Sequence, residues 1–128
     1  MQECIDIIVA LANPQLRTRL VDALQTQDKT AHTPRDLPDL LKLLVNWEED
    51  EPQLPRVPVL DEAFIYPHVY EECVRIKALS RLSLTVVLLV EPRTRTRSDW
   101  MGVDRILRLP MRVEEIVENA VRVLESQH

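Results

Sequence analysis

Two pairs of adjacent glutamates, Glu71/Glu72 and Glu114/Glu115, are the first candidates for chemistry in this sequence. General acid–base catalysis by carboxylates requires two carboxyl groups that converge on one substrate. Both pairs lie in segments whose apolar residues recur at helical spacing, and adjacent residues on a helix point about 100° apart. We therefore interpret both pairs as solvated helix faces, and Glu114/Glu115 as charges that favour the positive end of their helix.

The cysteine and histidine residues have no spacing that is typical of a metal or redox site. Cys4 and Cys73 are far apart and belong to apolar segments, so we interpret each as a small buried hydrophobic residue. The three histidines are scattered along the chain. We therefore predict no metal site and no redox centre.

Gly102 is the only glycine of the chain, and this fact excludes two nucleotide-binding motifs. Phosphate-cradling loops need several glycines so that backbone N–H groups can approach the anion. A P-loop and a dinucleotide-binding fingerprint are therefore ruled out, and we predict no cofactor.

Length and composition predict one soluble globular domain over residues 1–128. Apolar residues make up 45% of the 128 residues and charged residues 29%, and a chain of this length supports a single core. The net charge of −5 argues against direct nucleic-acid binding, which needs a basic surface. No apolar run approaches the roughly 18 residues of a membrane span, and the first residues lack the pattern of a signal peptide. We expect a cytoplasmic protein with no membrane contact.

The most distinctive charged segment is RTRTRSDW, residues 93–100, which we call the arginine loop. Its arginines, Arg93, Arg95 and Arg97, could dock a phosphate or an acidic partner, with Trp100 as an aromatic anchor. The alternative, which is the commoner situation for such a segment, is a solvated loop whose tryptophan packs back onto the core.

Strand and helix patterns alternate along the chain. Asn13 followed by Pro14 marks a helix start, because it supplies a capping side chain and then a proline at the first helical position. The predicted strands lie within CIDIIVALA, DKTAHT, RVPVLDEAFI, LTVVLLV and DRILRL. Three predicted helices follow Asn13, Asp36 and Pro67, and a last helix is predicted over residues 113–126. This alternation predicts a doubly wound parallel sheet of five strands with helices on both faces.

Three segments resemble the receiver domain of bacterial response regulators. GVDRILRLPMRVEEIVENAVRVL is similar to the end of such a domain, where the fifth strand closes in Lys-Pro before the last helix. VALANPQLR resembles the first strand, which ends in two acids and Asn-Pro, and LTVVLLVE resembles the fourth, which ends in Thr or Ser and then Ala. The resemblance covers the whole chain as five β-α units. It implies a (βα)5, flavodoxin-like three-layer sandwich, here with a shortened fourth helix.

The resemblance also implies a chemistry, the transfer of a phosphoryl group to an aspartate at the end of the third strand. In the family, the acceptor aspartate and two acids hold a divalent cation. A lysine pairs with the phosphate, a hydroxyl forms a hydrogen bond with it, and an aromatic residue acts as a switch. At the matching positions this chain has only aliphatic side chains: Leu11 and Ala12 for the acids, Val90 for the hydroxyl, Leu109 for the lysine and Ile106 for the aromatic.

The acceptor position falls on Asp61 or on Ala63, depending on the register of the third strand. We favour Asp61, because the other register buries Asp61 and Glu62 inside a strand that is covered on both faces. Pro58 opposes this choice, since proline is poorly tolerated within a central strand.

These replacements predict a non-catalytic pseudo-receiver, a domain that keeps the fold without the phosphorylation switch. It would be a protein-interaction module of bacterial signalling that works without phosphorylation. It would serve as the regulatory domain of a response regulator or transcription regulator, or as part of the complex that such a regulator forms. We expect protein partners, with a second copy of the chain as one candidate, and no enzyme activity. The alternatives are a working phosphoacceptor receiver that uses Asp61, and a nucleic-acid or phosphate binder that uses the arginine loop.

Overall fold

The computed structural model describes residues 6–27, 29–50, 55–66, 68–78, 83–84, 86–92 and 103–125. The first half of the chain forms β1 (Asp6–Ala10), α1 (Pro14–Thr26), β2 (Thr30–His32) and α2 (Leu37–Asp50). The second half forms β3 (Pro55–Asp61), a 3-10 helix (Glu62–Phe64), α3 (Val69–Lys77), β4 (Ser83–Leu84), β5 (Val87–Val90), β6 (Arg105–Arg108) and α4 (Val113–Glu125). The arginine loop, the predicted fourth helix and Cys4 lie outside the described residues.

The strands form one parallel sheet in the order β2-β1-β3-β5-β6. The two-residue β4 pairs with the start of β3 in the same register as β5, so β4 and β5 are two parts of one interrupted strand. The interruption lies opposite Pro58, which has no N–H to donate to a neighbouring strand. The predicted doubly wound sheet is confirmed, with its fourth strand divided in two.

Val86 lies at this interruption and is fully buried. Its N–H donates to Asp104 Oδ2 at 2.7 Å, and its carbonyl accepts hydrogen bonds from the N–H groups of Asp104 and Arg105 at 2.9 and 3.1 Å. These bonds satisfy a buried backbone that would otherwise lose part of its sheet partners. The interrupted pairing opposite Pro58 is thus tolerated, because Asp104, on the β6 side, supplies hydrogen-bond partners for the backbone of Val86.

Side chains of the strands alternate between two apolar clusters, one on each face of the sheet, as a sheet covered on both faces requires. We name the clusters after the helices that cover them. The α1/α4 core contains Ile7, Val9, Leu11, Val59, Leu89 and Leu107 with Leu20, Leu24, Ile116 and Val117 of the helices. The α2/α3 core contains Ile8, Ala10, Leu60, Leu88 and Val90 with Leu40, Leu44, Cys73 and Ile76 of the helices.

The first helix begins as its sequence predicts. Asn13 Oδ1 accepts hydrogen bonds from the N–H groups of Gln15 and Leu16 at 3.0 and 3.1 Å, and Pro14 is the first helical residue. These bonds satisfy two of the N–H groups that a helix start leaves without partners. Among the described helices, none has the length and apolar character needed to cross a membrane.

Candidate functional site

The carboxyl ends of four strands meet at one edge of the sheet. The register pairs Ala10 with Leu60, Asp61 with Leu89 and Val90 with Arg108, so the residues that follow these strands are neighbours. Doubly wound folds bind their ligands at this edge. Of the predicted site positions, Leu11, Ala12, Asp61, Val90 and Leu109 lie at or next to these strand ends, whereas Ile106 lies within β6.

Asp61 is the last residue of β3, and its side chain is 8% exposed. The N–H of Ala12 donates to Oδ2 at 3.0 Å and to Oδ1 at 3.2 Å, and the N–H of Phe64 donates to Oδ1 at 2.9 Å. The carboxylate therefore caps the 3-10 helix and ties the loop after β1 to the end of β3. Within the described residues, its charge is stabilised by backbone N–H groups rather than by a basic side chain.

The two positions that match the family's acids offer no cation ligand from their side chains. Leu11 is fully buried in the α1/α4 core, and the exposed Ala12 presents only a methyl group. The Leu11 carbonyl accepts a hydrogen bond from Arg17 Nη1 at 3.3 Å. Among the described residues, no three or more histidine, cysteine or acidic side chains form a group that could hold a metal ion.

The three positions that match the family's hydroxyl, aromatic and lysine differ in their burial. Val90 is fully buried in the α2/α3 core. Ile106 is half-buried and packs against the same core, whereas Leu109 is half-buried against the α1/α4 core. The Leu109 N–H donates to the Val90 carbonyl at 2.8 Å, so the ends of β5 and β6 are joined at this edge. These positions of the edge therefore carry hydrocarbon side chains, fully buried at Val90 and half-buried at Ile106 and Leu109.

Ala63, the alternative acceptor position, lies in the 3-10 helix after β3 and is exposed. The strand register that includes Asp61 as the end of β3 keeps Pro58 inside the strand, where it pairs in register with Ile8 of β1. The conflict between Pro58 and this register is thus resolved by the interrupted pairing on the other side of β3.

Sequence reasoning missed two polar residues at this edge, Glu62 and Arg108. Glu62 Oε1 accepts a hydrogen bond from the Glu91 N–H at 2.7 Å. Arg108 Nη1 donates to the carbonyls of Glu91 and Pro92, both at 3.1 Å. Their partners are distant along the chain, so no local pattern predicts these contacts. The sequence indicates only that each of the two residues lies at or next to the end of a predicted strand.

Other candidate groups lie away from this edge. Cys73 is buried in the α2/α3 core, and burial, together with the negative charge of Glu72, raises the pKa of its thiol to about 12. Glu71 is exposed, whereas Glu72 is half-buried and lies 3.6 Å from Arg75 Nη1. Glu115 accepts a hydrogen bond from the Arg112 N–H at 3.1 Å at the start of α4. These groups take part in local packing and capping.

No protein-family model matches this chain, and no curated protein matches it in sequence. Solved structures match it in shape over nearly its whole length. A CheY-like response-regulator receiver domain protein from Methanospirillum hungatei JF-1 gives a TM-score of 0.76 at 13% identity, over 94% of each chain. This chain has the receiver fold.

Two further structures have the same fold. The orphan response regulator HP1043 of H. pylori gives a TM-score of 0.73 at 15% identity, over 97% of this chain and 99% of that chain. The signal receiver domain of a signal transduction histidine kinase from Syntrophus aciditrophicus gives 0.71 at 16%, over 94% of this chain and 90% of that chain. At these identities the likeness establishes the receiver fold, and the expectation of that fold is confirmed.

Proposed function

We propose that this chain is a pseudo-receiver, a receiver-type signalling domain that binds a protein partner without being phosphorylated. The observation that carries the proposal is the set of side chains at the positions that match the family's phosphorylation site. Leu11 and Val90 are fully buried hydrocarbons, and Ala12 provides no oxygen ligand. The side chains that would hold a cation or donate a hydrogen bond to a phosphate are replaced at each of these positions.

The energetic cost of phosphorylation supports the same proposal. A phosphoryl group on Asp61 would add a dianion at a strand end where the matching positions, Leu11 and Val90, are hydrocarbon, at a cost of several kcal/mol when no cation or basic side chain compensates it. Phosphoryl transfer depends mainly on electrostatic stabilisation by a metal ion and a basic side chain. With Leu109 in place of a basic residue, that stabilisation is lost together with the cation ligands.

A working phosphoacceptor is the second candidate, and the placement of Asp61 favours it. Asp61 ends β3 at the edge of the sheet where such folds bind ligands, and within the described residues its Oδ2 accepts one hydrogen bond, from Ala12. We prefer the pseudo-receiver, because the hydrogen bonds from Ala12 and Phe64 give this carboxylate a structural role that needs no phosphoryl group.

The surface that we propose for partner docking is the arginine loop, with Arg93, Arg95 and Arg97 as charges and Trp100 as anchor. A fixed conformation leaves surface chemistry as the determinant of binding, and this loop is the most distinctive charged segment of the chain. The partner would present acidic groups, and the domain would serve as the regulatory part of a signalling or transcription regulator. Direct nucleic-acid binding is disfavoured by the net charge of −5.

The test compares two variants in binding to the partner that co-purifies with the wild-type chain. Arg95→Glu combined with Arg97→Glu should weaken binding about tenfold, which corresponds to roughly 1.4 kcal/mol, without changing the melting temperature. Asp61→Asn should leave the affinity unchanged. Loss of binding in Asp61→Asn, with full binding in the arginine variant, would identify Asp61 as the switch and contradict the proposal.

A further inference from the structure

Two polar side chains reach the residues that follow β5 from opposite sides. Glu62 comes from the β3 side, directly after Asp61, and its Oε1 accepts from the Glu91 N–H at 2.7 Å. Arg108 comes from the β6 side, and its Nη1 donates to the Glu91 and Pro92 carbonyls at 3.1 Å. Three backbone groups of two consecutive residues are therefore bound by charged side chains, and hydrogen bonds of this kind are the stronger ones.

We infer that Glu62 and Arg108 form a clamp that holds the segment after β5 in a single conformation. Glu91 and Pro92 are exposed, so burial does not fix them. The preceding Val90 is fully buried, and its carbonyl is bound by the Leu109 N–H at 2.8 Å. The clamp extends this fixed geometry for two residues beyond the core.

The clamp makes Glu62 and Arg108 positioning residues for the backbone of Glu91 and Pro92. Its value for docking rests on the proposed function, because the arginine loop begins at the next residue. The clamp itself rests only on the contacts above. A segment that is held from both neighbouring strands loses less conformational entropy when a partner binds to it.

The test measures amide hydrogen exchange by NMR in single variants. Glu62→Ala and Arg108→Ala should each speed exchange of the Glu91 amide about fivefold, the factor that corresponds to roughly 1 kcal/mol for partly solvated bonds. The amide of Val87, in the centre of the sheet, should exchange as in the wild type. Glu62→Gln should retain most of the protection, because its side-chain oxygen can still accept the bond.

Matched controls remove the same charges elsewhere. Arg105→Ala changes an exposed arginine of the same strand, whose Nη1 donates to Asn119 Oδ1 at 3.2 Å, and Glu71→Ala changes an exposed glutamate of α3. Both should leave Glu91 exchange unchanged. The clamp is refuted if Glu91 exchange stays at the wild-type rate in both alanine variants, or if Val87 exchange rises as much as Glu91 exchange. If the domain responds to a phosphoryl analogue while the variants behave as expected, the proposed function fails and the clamp stands.

Discussion

Asp61 can be a capping residue or a phosphoacceptor, and the two roles predict opposite effects of its removal on stability. As a cap, its carboxylate accepts bonds from the Ala12 and Phe64 N–H groups at 2.9 to 3.2 Å. Asp61→Ala should then lower the free energy of unfolding by about 1.5–3 kcal/mol, the range for bonds to a charged group. Asp61→Asn should cost less, because its amide oxygen can still accept. Urea unfolding measures both values.

The opposite result has a clear meaning. Catalytic side chains often sit in sites that are unfavourable for folding, so that their removal stabilises a protein. An Asp61→Ala variant as stable as the wild type, or more stable, would therefore contradict the capping role.

Val90 and Leu109 test whether the positions that match the family's hydroxyl and lysine belong to the core. Val90→Thr should lower the free energy of unfolding by about 1–3 kcal/mol, because it buries a hydroxyl at a fully buried position. Leu109→Lys should lie at the lower end of that range, since Leu109 is half-buried and a lysine can extend its charge to water.

The matched control for these two variants is Val45→Thr, the same change at a position in α2 that is 41% exposed. We expect an effect within about 0.5 kcal/mol there. If Val90→Thr and Leu109→Lys are as neutral as this control in urea unfolding, the edge of the sheet is open to water and the switch positions are not core.

At the scale of the elements, the packing of α3 predicts a pH dependence. Burial of Cys73, assisted by the charge of Glu72, raises the pKa of its thiol from 9.0 to about 12. Between these values the unfolded chain has lost the thiol proton and the folded chain has kept it, so stability falls as the pH rises through this window. Cys73→Ala should lose less stability than the wild type between pH 9 and pH 12 in urea unfolding. Equal losses would contradict the burial of this thiol.

Local patterns in the sequence predicted most elements, because their causes are local. The Asn13-Pro14 pair predicted the start of α1, and the apolar run LTVVLLV predicted a central strand. The contact of Asp104 with the Val86 N–H, which completes the sheet opposite Pro58, joins residues that no local pattern links. The clamp of Glu62 and Arg108 on Glu91 escaped prediction for the same reason: the three residues meet only after the sheet has formed.

The candidate site could be predicted only as a set of positions. The side chains at the positions that match the family's site are aliphatic, which the sequence alone shows, but their burial depends on packing. Leu11 and Val90 are fully buried, whereas Ala12 is exposed and Leu109 is half-buried.

At the scale of the whole molecule, the proposal is that one conformation persists with or without a phosphoryl signal. A ligand shifts a conformational equilibrium only as far as it binds one state more tightly than the other. The aliphatic side chains at positions 11, 12, 90 and 109 offer a phosphoryl group no polar contact that could favour a second state. The segment after β5 is also bound from both sides, by Glu62 and Arg108.

The most direct test of this claim is an NMR titration of the chain with magnesium and beryllofluoride, a mimic of a phosphoryl group on aspartate. We predict that the amide resonances of Leu11, Ala12, Asp61 and Val90 stay in place at millimolar concentrations of both, because Leu11 and Ala12 supply no side-chain oxygen to hold the cation together with Asp61. Saturable shifts at these residues, abolished by Asp61→Asn, would show a working phosphoacceptor and contradict the pseudo-receiver.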